Sequence, residues 1–322
     1  MYANVNSVKT QNATLFWAHS PKFPDKLNAQ KLAFWQSFPK ATGELRIIQQ
    51  ANAVMLSDFK EICDSLQCDF WLHGGTLIGA LRHSGSVPWD DDIDVAMTRS
   101  DFEKVKNYLF ETSNKYQIKE FHYFDLAARA YRFTRKDINS NCFVDVFVYD
   151  NYNLTTNSVL SDWQLLCQYK KDLATKISNI CSKLGFYLQT NNPLDNLPGL
   201  KSKIGNIFDS MINKSLENNT GGNYFLWGLD NNYQNETCYA YNHGRIFHVD
   251  DIYPFKKAMF EGREYNIPNN FEKYTEIEYG GSYLDMPHNF GTSVHYDYYF
   301  SDINQIEIAK QIISDSKIKA SK

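Results

Sequence analysis

The tightest constraint on this chain is an acidic run set in apolar surroundings, Pro88-Trp89-Asp90-Asp91-Asp92-Ile93-Asp94-Val95. Four carboxylates within five positions repel one another, and a fold tolerates that mainly where a cation neutralises them. Most charge runs are solvated turns. Here Trp89 precedes the run and Ile93, Val95 and Met97 alternate through it, which predicts a strand over Asp92 to Met97 with one face in the core. Period two puts Asp92 and Asp94 on the other face, about 7 Å apart, and Asp90 joins them if the strand begins early. Hard carboxylate oxygens with no His or Cys beside them suit Mg²⁺ or Mn²⁺, and Mg²⁺ commonly completes its shell with substrate phosphates. Asp92, Asp94 and Asp90 are therefore the expected metal ligands, and a nucleotide is the expected substrate.

Upstream, the apolar run Asp69 to His73 predicts a buried strand, and His73-Gly74-Gly75-Thr76 predicts a tight turn ahead of a short helix over Thr76 to Arg82. Two glycines and a hydroxyl there let backbone N–H groups approach an anion, so Gly74, Gly75 and Thr76 are candidate phosphate-binding residues. Arg82 either pairs bidentately with a phosphate or balances the acid run. His83 joins it, or only caps or packs. Downstream, Phe143-Val144-Asp145-Val146-Phe147 isolates one acid in an apolar strand. A lone buried carboxylate needs a hydrogen bond or a cation, which makes Asp145 the third candidate catalytic acid beside Asp92 and Asp94, as metal ligand or as general base.

Around these motifs the pattern predicts an α/β chain in four stretches. Residues 1–44 read as an irregular, proline-punctuated arm. Residues 45–150 read as a mixed sheet flanked by helices: Leu45 to Leu66 repeats apolar residues at helical spacing, Ser100 to Glu103 fits a capping box for a helix reaching about Tyr108, and Arg129 to Arg135 and Phe143 to Tyr149 read as strands. Residues 151–220 carry two helical stripes, one from Leu160 to Leu184 and one from Leu200 to Ile212. Residues 221–322 form an aromatic-rich appendage without sustained periodicity, expected to complete the site, and end in a helix from Ile303 to Ile318 with fraying from Ser314.

Glycines at a strand end, Asp-x-Asp on the next strand and a solitary Asp on a later one form the pattern of the nucleotidyltransferase superfamily. More narrowly, Leu72 to His83 followed by Val87 to Val95 closely resembles the signature of the LicD family, which includes fukutin and fukutin-related protein. Phe143 to Asp150 resembles a further family segment, with Val148 where Pro is usual, and Phe260-Glu261-Gly262, Ile267-Pro268 and Tyr279-Gly280 resemble a carboxyl-terminal block. The resemblance implies a nucleotidyltransferase-like fold and a transferase that moves a phospho-alcohol, such as phosphocholine or ribitol phosphate, from a CDP-linked donor to a hydroxyl of a cell-surface glycan, with CMP leaving. Asp92 and Asp94 would hold the metal against the diphosphate. Transfer of a nucleoside monophosphate from an NTP, or a non-catalytic glycan-binding scaffold, are the alternatives.

Composition excludes other classes. With 43% hydrophobic and 22% charged residues the chain is an ordinary globular one, and a formal charge of −4 provides no global field for nucleic acid. No apolar stretch reaches the roughly 20 residues of a membrane helix, so membrane association would be peripheral, through the acceptor. Met1 to Lys9 lacks a leader's apolar segment, and a cytoplasmic location is expected. Six scattered cysteines read as reduced core thiols. Tyr241 to His248 gathers His243, Arg245 and His248, and without a nearby Cys at ligand spacing zinc is not the favoured reading.

Overall fold

A computed structural model describes residues 24–123, 128–153, 172, 175–176, 179–180, 198–217, 221–228, 230, 246–279, 281–285 and 304–320. The stretch expected to be an irregular arm holds helix α1 (Pro24–Gln36). Pro24 opens it, where a missing N–H costs nothing, and Pro39 lies beyond its end. Trp35 anchors it, fully buried and donating its indole N–H to the Leu284 carbonyl at 2.9 Å.

Helix α2 (Gly43–Leu66) buries Ile48, Ala51, Met55, Leu56, Phe59 and Cys63, as its periodicity predicts. Strand β1 (Phe70–Leu72) is buried throughout. Helix α3 (Gly74–His83) starts two residues before the expected position, with His73 as N-cap. Strand β2 (Asp94–Thr98) begins two residues later than expected. Helix α4 (Arg99–Thr112) is capped by Thr98, whose hydroxyl accepts from the Asp101 N–H, rather than by Ser100. The Thr98 hydroxyl in turn donates to the Asp101 carboxylate at 3.1 Å, so the cap forms two residues upstream of the expected Ser100–Glu103 pair, and the helix runs past Tyr108.

Strands β3 (Tyr116–Tyr123), β4 (Ala128–Arg135) and β5 (Phe143–Tyr152) follow. The order is β1-β2-β5-β4-β3, with β2 and β5 parallel and the other neighbours antiparallel. Strand β3 escaped the sequence pattern because it is an edge strand mixing Gln117, Lys119 and Glu120 with its apolar residues. Helix α5 (Pro198–Leu216) buries its predicted stripe at Ile204, Phe208, Met211 and Ile212. The stripe from Leu160 to Leu184 lies largely outside the described residues.

The aperiodic carboxyl-terminal region supplies two strands to the same sheet. Strand β6 (Tyr224–Trp227) pairs with Tyr149 to Tyr152 of β5, on the edge that β4 occupies only as far as Val146, and β7 (Ile246–His248) pairs with β6. After helix α6 (Val249–Ile252), strands β8 (Lys256–Phe260) and β9 (Arg263–Ile267) form a hairpin. Its turn residues Glu261 and Gly262 both have positive φ, 47° and 87°, matching the twist of the strands. Helices α7 (Phe271–Tyr279) and α8 (Asn304–Ala320) complete the chain. Helix α8 packs on α2 through buried Ile306, Ala309 and Ile312 and stays helical past Ser314, where fraying was expected. One apolar cluster joins α2, the sheet, β9, α7 and α8. Cys63, Cys68 and Cys142 are free and buried in it, as expected. No helix among the described residues is long and apolar enough to cross a membrane.

Candidate active site

The parallel pairing of β2 with β5 sets Asp94 directly beside Asp145, and the pairing extends to Ile93, whose carbonyl accepts from the Asp145 N–H at 2.8 Å. Carboxylate oxygens of Asp92, Asp94 and Asp145 all lie within 4.8 Å of one another, and so do those of Asp90, Asp91 and Asp92. Sequence reasoning omitted Asp91, which is 2% exposed. Burial first, and then repulsion from Asp92, push the Asp90 and Asp94 carboxyls well above the usual carboxylate range.

The two signature glycines form the floor under these acids. A Cβ built on Gly74 would lie 2.3 Å from Asp94 Oδ2, and one on Gly75 would lie 2.3 Å from Asp90 Oδ2. Gly74 also has φ +54°, a conformation that side chains other than glycine resist. The Gly75 N–H donates to the Asp94 carboxylate, and the Thr76 hydroxyl accepts from the Asp94 N–H at 2.8 Å. Gly74, Gly75 and Thr76 thus seat the acids. Gly79 and Gly85 serve close approach too, since a Cβ on Gly79 would strike the Gly85 carbonyl and one on Gly85 would strike Glu261.

Asp145 is not alone. Arg132, its register partner on β4, donates Nε to Asp145 Oδ1 at 2.8 Å and stacks over Phe143 at 3.8 Å. Helix α2 supplies two further residues that sequence reasoning missed. Gln49 donates to the Val87 and Asp90 carbonyls at 3.0 and 2.8 Å. Asn52 donates to the Asp91 carbonyl at 2.9 Å and accepts from the Phe143 N–H at 3.1 Å. Spaced three apart among buried Ile48, Ala51 and Met55, they stand on a helix face expected to be apolar, which is the only signal they leave.

Arg82 and His83 are engaged elsewhere. Arg82 donates to the Asp285 carbonyl at 2.8 Å and lies 4.2 Å from the Trp35 ring centre. Burial, then the neighbouring Arg82 charge, pushes His83 down to about 4, so it is neutral at pH 7, packed by Trp35 and Trp89. Glu261 buttresses the loop before the acids. It accepts from the Ser86 N–H at 3.0 Å and from Arg46 at 2.8 and 2.5 Å. Burial opposes its charge, but these donors hold its carboxyl down to about 2. His248 caps α6 through Nδ1, while His243 and Arg245 lie outside the described residues. Beside the acids, His73 packs on Phe147 and Trp227 and shares a 2.7 Å hydrogen bond with the Tyr274 hydroxyl.

A mixed sheet flanked by helices, with a glycine-started helix beneath carboxylates from two adjacent strands, is a nucleotidyltransferase-like domain. Residues 67–181 match the family model described as LicD/FKTN/FKRP, nucleotidyltransferase domain. It is 34% identical over 107 residues to a lipopolysaccharide cholinephosphotransferase LicD of Haemophilus influenzae, covering 30% of this chain and 40% of that protein. It is 29% identical over 111 residues to an uncharacterised protein of Rickettsia prowazekii, covering 34% of this chain and 38% of that one. The chain thus matches about two fifths of the length of these two relatives.

Proposed function

We propose that the chain is a divalent-metal-dependent phosphotransferase that moves a phospho-alcohol, phosphocholine or a polyol phosphate, from a CDP-linked donor to a hydroxyl of a cell-surface glycan, releasing CMP. The observation that carries this reading is the meeting of Asp92, Asp94 and Asp145 within 4.8 Å, with Asp94 and Asp145 on paired strands. The cholinephosphotransferase activity named for the Haemophilus relative supports the choice of phospho-alcohol over nucleotide transfer.

A hard cation fits this donor set, which consists of carboxylate oxygens alone and drives Asp90 and Asp94 toward protonation. Asp92, Asp94 and Asp145 would hold Mg²⁺ or Mn²⁺, with Asp90 beside them. The bound ion supplies neutralising charge for a phosphate's bridging and leaving oxygens. Arg132 fixes the Asp145 carboxylate in place, and Gly74 and Gly75 keep side chains out of the space that Asp94 and Asp90 fill.

The test is a thermal-shift panel of CDP-choline, CDP-ribitol, CDP-glycerol, CDP-ethanolamine and NTPs, each with and without Mg²⁺, followed by product analysis. Stabilisation by one CDP-alcohol that needs the metal, with CMP released on adding acceptor, is the expected result. Pyrophosphate release from an NTP would overturn it in favour of nucleotidyl transfer, and glycan binding without turnover of any donor would mark a scaffold.

A further inference from the structure

Four residues form one row of register partners across the sheet. Lys119 on β3 faces Arg132 on β4, Arg132 faces Asp145 on β5, and Asp145 faces Asp94 on β2. Register partners share a sheet face, so two cations and then two carboxylates lie side by side, with the Lys119 backbone about 10 Å from that of Asp145.

At the cationic end, the sheet face and the loop after β4 enclose a cavity of about 270 Å³. Among the described residues, its lining includes Lys119, Arg132, Thr134, Arg135 and Lys136 against one carboxylate, Asp137. Arg135 is committed to Asp137 at 2.6 Å and Arg132 to Asp145 at 2.8 Å, so the charges of Lys119 and Lys136 are in excess over the acids that line it. Thr134 is 8% exposed, and its buried hydroxyl has no hydrogen-bond partner among the described residues, a costly arrangement that calls for a ligand or a water. A chain of net charge −4 has gathered four cationic side chains around one cavity beside its acidic cluster.

We propose that this cavity is an oxyanion subsite that takes a phosphate group carried by the glycan acceptor. Its identity as an acceptor site rests on the phosphotransfer reading, whereas oxyanion binding as such does not. The two phosphorus atoms of a diphosphate share one bridging oxygen, so both stay near an ion at the acids. A second anion-selective end about two strands away therefore fits the other substrate. Acceptors bearing a charged group are then preferred over neutral ones.

The test uses the full chain in EDTA, with inorganic phosphate as the probe, by titration calorimetry. Wild type should bind phosphate, and the double variant Lys119→Gln, Lys136→Gln should bind it about tenfold more weakly. Thr134→Val should weaken binding too, yet melt no lower than wild type, because it removes an unpartnered buried hydroxyl. A merely structural role for Thr134 would not separate those two readouts. Absence of phosphate binding by wild type, or equal affinity in all three proteins, would overturn the subsite. Kinetics then separate the sources: the double variant should raise KM about tenfold for an oligosaccharide acceptor bearing a phosphate ester and leave donor KM within about twofold. A rise in donor KM instead would give the cavity to the diphosphate and overturn the acceptor assignment. If no CDP-alcohol is turned over at all, the phosphotransfer reading and the acceptor assignment fall together, while calorimetry still decides the oxyanion subsite.

Discussion

Replacing Gly75 with alanine separates the chemistry of the site from its folding. The new Cβ would lie 2.3 Å from Asp90 Oδ2 and 3.4 Å from its Cγ, so the carboxylate must swing by about 1 Å or more to restore ordinary contact. That carboxylate is the free end of a side chain, and Gly75 has no positive φ. Alanine in a helix is otherwise favoured over glycine by about 0.5–1 kcal/mol. The variant should therefore fold with a melting temperature near that of wild type. Misplacing a catalytic constellation by about 1 Å costs about 10²-fold in rate, and CMP release should fall by that order, with Mn²⁺ affinity falling alongside. Gly74→Ala provides the contrast. Its Cβ would meet the Oδ2, Cγ and Cβ of Asp94 at a residue of φ +54°, so it should lose stability by about 1–2 kcal/mol as well as activity. Melting by circular dichroism, Mn²⁺ titration followed by electron paramagnetic resonance, and CMP release would be measured on both variants. A folded Gly75→Ala protein with wild-type turnover and wild-type Mn²⁺ affinity would refute the argument that these glycines exist to seat the acids.

Asp94→Asn should abolish turnover yet raise metal-free stability, because it removes a buried charge that Asp92, Asp145 and Asp90 repel; denaturant melts in EDTA check the sign. The raised carboxyls of Asp90 and Asp94 also set a pH dependence. The metal-free fold holds protons that the unfolded chain releases near about pH 4, so its stability declines as pH rises from there through the raised values. Metal relieves the repulsion, and the gain in melting temperature on adding Mn²⁺ should grow steadily with pH above about 5; a gain that shrinks with pH would count against the cluster as the binding site. Asp145→Asn distinguishes ligand from base: loss of Mn²⁺ affinity and turnover together marks a ligand, whereas unchanged affinity with a rate lower by about 10² to 10⁴ marks a base.

The acids were legible because identity and spacing alone imply like-charge repulsion on a strand, and the glycines because few other roles place two of them ahead of a helix. What they do for each other was not legible. Asp94 and Asp145 lie on parallel strands separated by two further strands in sequence, so only register makes them neighbours. Arg129, Arg132 and Arg135 look equivalent in sequence, yet the fold sends them to Asp230, Asp145 and Asp137 respectively. Arg82, which stands beside the glycine motif in sequence, is drawn by α1 onto Trp35. That helix was hidden because three prolines, only one of them inside it, suggested an irregular arm. At the start of α4, two hydroxyls competed as cap, and the end of β2 at Thr98 decided between them.

The way the acidic cluster is held explains how one fold can carry it before any ligand arrives. Gln49 bonds the carbonyls of Val87 and Asp90, Asn52 bonds the Asp91 carbonyl and the Phe143 N–H, and Thr76 bonds the Asp94 N–H. Each of these groups is neutral and grips main chain. A lysine or arginine bonded to Asp94 would relieve the repulsion, but it would also compete with a cation for the same oxygens. Positioning by amides and hydroxyls avoids that competition and leaves the electrostatic strain in place as a source of metal affinity. Asp145, at the edge of the cluster, has Arg132 as partner, and that arginine marks where the sheet face turns from acidic to basic. The fold thereby specifies the order of charges along the face through strand register, and the polar residues of α2 specify its geometry.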